Sequence, residues 1–201
     1  MKWWNKSHDI PIYDECFQRI INGLLFNCPS CVRKTTNMGK ENGGKQKKKT
    51  QYIPVSARET SFKKNGISGS ALLTILAQIR RPLVYINAYE ALKPSANIED
   101  SVEHIIKSTN CADDMFELMV YHIRSDMPEA EAIYYYIRNA FAHGSFEVYV
   151  HNNDRVYLLE SCKDGTIKAR MRLKEKTLLR YVELTHMSLE DVFRLQRKKR
   201  K

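Results

Sequence analysis

No apolar run in this sequence approaches the roughly 18–20 residues needed to cross a bilayer. The best candidate, Ala71 to Leu92, is interrupted by Arg80, Arg81 and Pro82. The first residues, Met1-Lys2-Trp3-Trp4, lead straight into polar ones, with no apolar core and no small-residue cleavage site of a secretory signal. Cysteine is sparse and odd in number, five in 201 residues, so a disulfide framework is excluded. Cys28-Pro29-Ser30-Cys31 has the spacing of half a zinc site, but no second pair completes it. The six histidines show no metal-binding spacing, and neither a metal nor a cofactor is expected. Gly39, Gly43 and Gly44 lie in a lysine-rich stretch with no strand before it, which argues against a phosphate-binding glycine loop. Internal repeats, a sustained heptad run and a helix-turn-helix pattern are also missing. These absences leave a soluble, reduced, cytoplasmic protein with no membrane segment as the expectation.

What is present in excess is positive charge, and it is localised. The chain carries +10 overall. Arg33 to Lys49 holds seven Lys/Arg and one Glu, and Arg194 to Lys201 holds six Lys/Arg and no acid. Those two tracts carry +12 together, which leaves −2 for everything else. The body is therefore nearly neutral, and two basic tracts hang from it. Such tracts hold phosphate backbones without reading sequence, or act as solvated loop and tail. Lys198, Lys199 and Arg200 are the candidate RNA contacts of the second tract.

The hydrophobic pattern reads as one domain over residues 1–201. A helix is expected from Asp9 and Pro11, with Ile12, Cys16, Ile20 and Leu24 forming one stripe. A flexible basic loop is expected over residues 33–51. Helix resumes near Ser68, with Leu72, Leu73, Leu76 and Ile79 inward; Pro82 kinks or ends it, and Leu83 to Leu92 is a candidate continuation. Asn97 caps a helix whose first turn contains Glu99 and Asp100. Cys111 to Arg124 is expected as another, with Met115, Leu118, Met119 and Ile123 on its apolar side. Pro128 opens a further helix that Gly144 ends. The period then changes to two, and Asp164-Gly165 marks a hairpin. A three-stranded antiparallel meander is expected over 145–173, then a final helix from Lys174 to Leu195 and the basic tail 194–201.

The helix after Pro128 ends in Arg138-Asn139-Ala140-Phe141-Ala142-His143. At about 100° per residue, Ile133, Ile137, Ala140, Tyr136 and Phe141 form its buried face. Arg138, Asn139 and His143 fan across the opposite side around Ala142, with Tyr135 among them. Asn139 and His143 are four apart and can touch. Arg138 and His143 are not, so either the helix loosens at its end or a second copy of the chain completes the site. The inventory suits RNA cleavage without a metal. Arginine offers a planar fork to phosphate, and histidine titrates near working pH and so moves protons. Tyr135 is a candidate for stacking on a base.

The segment Arg138 to Gly144 resembles the signature of the HEPN superfamily (higher eukaryotes and prokaryotes nucleotide-binding domain), an arginine and a histidine separated by four to six residues with a polar residue beside the arginine. The likeness covers the helical pattern from about Ser68 to Gly144, with identity confined to the motif. The strands directly after it are similar to those of plasmid-borne HEPN proteins. The resemblance implies a mainly α fold, an up-and-down helical bundle carrying a small three-stranded antiparallel β-meander and a C-terminal helix. It implies a metal-independent endoribonuclease, of toxin or defence type, with Arg138 and His143 as the catalytic pair and Asn139 as their orienter. A homodimer through the face around Ala142 is implied, as is an antitoxin or regulatory protein partner. Members that have lost activity bind RNA or nucleotides instead. Where some members have a modifiable tyrosine two residues after the histidine, this chain has Ser145, which speaks against that route of control.

Overall fold

The computed structural model describes residues 12–29, 61–84, 88–109, 116–151 and 153–198. Its centre is a five-stranded sheet made of β1 (Tyr89–Leu92), β2 (Leu118–His122), β3 (Phe146–His151), β4 (Asp154–Lys163) and β5 (Thr166–Lys174), in the order β1-β2-β5-β4-β3. β1 runs parallel to β2, and the remaining neighbours are antiparallel. The architecture is thus α/β. This overturns the expected mainly α bundle with a separate three-stranded meander, because the meander strands are the outer three-fifths of a larger sheet.

Two misread segments account for the difference. Tyr89–Leu92, expected as helix, is β1, and Leu118–His122, expected on a helix, is β2. All five residues of β2 are buried. A strand covered on both faces reads as a continuous apolar run, which periodicity cannot tell from a buried helix. Met119 and Tyr121 enter the larger core, whereas Leu118 and Val120 enter a smaller one under the crossover helix α4 (Ile98–Ser108). α4 joins two parallel strands, the connection that parallel pairing requires. Asn97 caps it, accepting from the Glu99 amide at 2.8 Å, and Ile98, Val102 and Ile105 face the sheet.

The larger core packs the other helices on the opposite face. α1 (Glu15–Ile21) starts at Asp14, whose carboxylate accepts from the Phe17 amide at 2.9 Å. Asp9 and Pro11 lie outside the described residues, and Ile12 is exposed instead of heading a stripe. A π-helical turn, Asn22–Phe26, continues α1. There a Cβ on Gly23 would stand 2.6 Å from Val182 Cγ1, so only glycine lets this backbone lie against α6 (Glu175–Thr185). α2 (Ser61–Lys64) precedes α3 (Ser70–Val84), which runs through Pro82 and leaves Leu73 exposed rather than inward. The expected single final helix is two. It breaks at His186, and Ser188 and Asp191 form a reciprocal cap that starts α7 (Leu189–Lys198). That Ser-x-x-Asp signature is readable in the sequence.

The strand turns follow local chemistry. Asp164 and Gly165 both have positive φ, 52° and 72°, the primed turn that a two-residue hairpin requires. Helix α5 (Glu129–Ala142) lies across β4, and ten of its fourteen residues are buried. Among the described residues no helix is long and apolar enough to cross a membrane. The 33–51 loop, Cys31, Lys199 and Arg200 lie outside the described residues, as does the side chain of Lys198.

Candidate functional site

α5 begins in an ion cluster. Glu129, in its first turn, accepts from Arg80 Nη2 and from the Tyr121 hydroxyl, and Arg80 also donates to that hydroxyl at 2.9 Å. Burial is the main cause that raises the Tyr121 pKa, with the Glu129 hydrogen bond adding to it. A carboxylate at this end also complements the helix dipole. The helix is thereby clamped to α3 and β2.

The other end carries the motif. The last turn stays α-helical, with the His143 amide donating to the Asn139 carbonyl at 3.0 Å. Gly144, at φ 65°, donates to Phe141 O at 3.2 Å, and Ser145 donates to Ala140 O at 2.9 Å. These two bonds make a complete Schellman cap. Only a residue tolerant of positive φ closes it cheaply, so Gly144 fixes where the helix stops and leaves His143 exposed at its rim. Phe141 packs on Phe146 at 5.1 Å between ring centroids, which fastens the helix end to the first strand after it.

The polar trio does not share one solvent face. Asn139 is buried, with 8% of its surface exposed, Arg138 is half-buried, and Ala142 and His143 are exposed. The 100° spacing misplaced Asn139 because α5 is buried around most of its circumference, ten of its fourteen residues being buried, and not along its apolar arc alone. Arg138 Nη1 donates to Asn139 Oδ1 at 3.4 Å, while Arg138 Nε is buried with no hydrogen-bond partner among the described residues. The asparagine therefore steadies the arginine, and the arginine keeps hydrogen-bonding capacity unspent.

Asn139 also lines a cleft of about 370 Å³ with Tyr135, Tyr136, His122, Ser161 and Pro94. Arg124, Asp126, Lys163 and Lys168 stand around it. Arg124 grips Asp126 in a two-point fork, Nε to Oδ1 at 2.8 Å and Nη2 to Oδ2 at 2.6 Å, and its guanidinium lies 4.4 Å from the Tyr135 ring centroid. The hydrogen bond to Asp126 raises the Arg124 pKa, and the same bond holds the Asp126 carboxyl below its usual value, with Lys163 adding to the effect. His122 is buried. Its Nε2 stands 2.9 Å from the Ala96 carbonyl, which can only accept, so Nε2 carries the proton. Its Nδ1 is buried and has no partner among the described residues.

Of the residues singled out from sequence, Tyr135 and Asn139 meet in this cleft; Arg138 and His143 do not line it. His122, Arg124, Lys163 and Lys168 were missed. His122 and Arg124 come from a segment read as helix, and Lys163 and Lys168 from the flanks of the hairpin expected at Asp164-Gly165; no local signal joins the two pairs. Cys28, the described half of the Cys28/Cys31 pair, is buried with its sulfur 3.5 Å from the Tyr134 carbonyl oxygen. Among the described residues no cluster of His, Cys, Asp and Glu could hold a metal ion. No protein-family model, no curated protein and no solved structure matches this chain.

Proposed function

We propose that the C-terminal end of α5 cuts RNA without a metal, as a toxin or defence effector would. The observation that carries the reading is the arrangement of the motif. A capped helix end presents an exposed histidine, and one turn back an asparagine holds an arginine whose Nε is unspent. In the reaction the ribose 2′-oxygen attacks the adjacent phosphorus, the bond to the 5′-oxygen breaks, and the 2′-hydroxyl proton ends on the leaving 5′-oxygen. The products are a 2′,3′-cyclic phosphate and a 5′-hydroxyl. His143 carries the proton, Arg138 stabilises the charge of the crowded phosphorane, and Asn139 orients Arg138.

The helix does not loosen before His143, so one copy leaves Arg138 and His143 on different sides. A homodimer through the exposed surface around Ala142 brings the His143 of one copy to the Arg138 of the other. The basic stretch ending in Lys198, Lys199 and Arg200 holds more of the strand electrostatically, and a protein partner restrains the activity.

The test is to incubate single-stranded RNA in EDTA with wild type, Arg138→Ala and His143→Ala. Cleavage by wild type and its loss in both variants supports the reading. No cleavage by wild type, or equal cleavage by the variants, overturns it. Burial of Asn139 favours a second reading, an RNA- or nucleotide-binding module that no longer cuts. That reading expects salt-sensitive binding without cleavage.

A further inference from the structure

The cleft between α5, the chain after β2 and the β4–β5 hairpin is a site in its own right. Its walls divide into two kinds. Pro94, Ile123 and Tyr136 supply apolar and aromatic surface, and Arg124, Lys163 and Lys168 face a single carboxylate, Asp126. Arg124 is held in place by Asp126 beneath it and Tyr135 beside it, so its guanidinium needs no ordering when an anion arrives. The two lysines flank the hairpin turn, Lys163 exposed and Lys168 half-exposed. The wall also keeps polar capacity that the protein does not use. His122 Nδ1 is buried with no hydrogen-bond partner among the described residues. Buried polar atoms are ordinarily satisfied, so an unspent one beside three cations and an apolar wall points to a ligand.

Size narrows the class. About 370 Å³ is near the lower end of small-molecule sites, which run from about 300 to 1,000 Å³. Such a space takes one planar ring with one phosphate and leaves no room for a second nucleotide. We infer that this cleft binds a single nucleoside monophosphate unit, its ring against the Tyr136 and Ile123 side and its phosphate between Lys163, Lys168 and Arg124. The unit is either a free mononucleotide or one nucleotide of an RNA strand. The inference does not need the cutting reaction proposed above, although both use Asn139.

Titration calorimetry with 5′-AMP, adenosine, inorganic phosphate and a short single-stranded RNA tests it. AMP is expected to bind at least about tenfold more tightly than adenosine or phosphate alone. The double variant Lys163→Ala/Lys168→Ala loses at least about tenfold in AMP affinity. Lys107→Ala, which removes one surface charge far from the cleft in sequence, leaves it unchanged. Amide shifts at Ser161 and Lys168 in an NMR titration place the ligand independently of any variant. If RNA binds more tightly than AMP with the same sensitivity to the double variant, the nucleotide belongs to a strand; the reverse order marks a free nucleotide. Absence of AMP binding at about 5 mM overturns the inference, as does equal binding of phosphate and AMP (an unspecific anion site) or full affinity in the double variant. Because the readout is binding, a protein that binds AMP and cuts no RNA fails only the earlier proposal.

Discussion

The two ends of α5 use the same kinds of side chain to opposite purposes. At the start, Arg80, Glu129 and Tyr121 close a loop of hydrogen bonds across three elements, and Arg80 keeps a buried Nε without a partner among the described residues, as Arg138 does. At the finish, Arg138 has one long contact to Asn139 and a buried Nε without a partner, and His143 stands exposed on a glycine-capped rim. A closed polar cluster stabilises a fold. The ends therefore differ in the number of bonds they make and in the exposure of His143, not in the unpaired arginine Nε, and it is this difference that the variants below probe.

The largest expected effect breaks the open end. His143→Ala lowers RNA cleavage on the order of 10²- to 10⁴-fold. Its unfolding free energy changes by less than about 0.5 kcal/mol in urea titration, because the side chain is exposed. A stability loss that matched the activity loss would make His143 part of the scaffold. Next comes the closed end. Glu129→Ala leaves Arg80 without its carboxylate and costs about 2 kcal/mol in the same titration. That is less than for a fully buried pair, since the two side chains are 21% and 28% exposed. Under the proposed function, the folded variant is expected to cut RNA at close to the wild-type rate.

Arg138→Met sharpens the contrast by its sign. Replacing a partly desolvated, under-bonded guanidinium by an apolar chain leaves the protein as stable or up to about 1 kcal/mol more stable, while cleavage is lost. A loss of 2 kcal/mol or more would show that Arg138 is structural. The smallest effect lies beside the cleft. Arg124 lowers the Asp126 pKa from its ordinary 3.8, so this ion pair contributes stability above that value and loses it as pH falls through the lowered one. Half of the Asp126 side chain is exposed, which keeps the contribution small. Asp126→Asn should flatten the acid limb of the stability–pH curve slightly, as thermal unfolding between about pH 5 and pH 2 would reveal.

Much of the local structure was legible. The Asn97 cap, the end of α5 at Gly144 and the Asp164-Gly165 turn follow from one to four neighbouring residues, because caps and primed turns are short-range hydrogen-bond and φ problems. The Ser188–Asp191 cap belongs with them, although the apolar stripe running through it concealed the break. The β1–β2 part of the sheet was not legible, and with it the five-stranded whole. Tyr89–Leu92 and Leu118–His122 are short; the first becomes a strand by pairing with the second, and the second by pairing with the first and with β5. Nothing in their own spacing announces that pairing.

The candidate site divides along the same line. The order of residues alone places Arg138, Asn139 and His143 on one helix end and sets the stop beyond them, since helix periodicity and a glycine cap act within a few residues. Only the tertiary structure decides that Asn139 is buried, that Arg138 leans on it, and that Tyr135 shares a cleft with His122, Arg124, Lys163 and Lys168. Those four residues reach the cleft through β2, its exit and the β4–β5 hairpin. A site assembled across strands depends on sheet register, and register is a property of the packed chain and not of any segment in it.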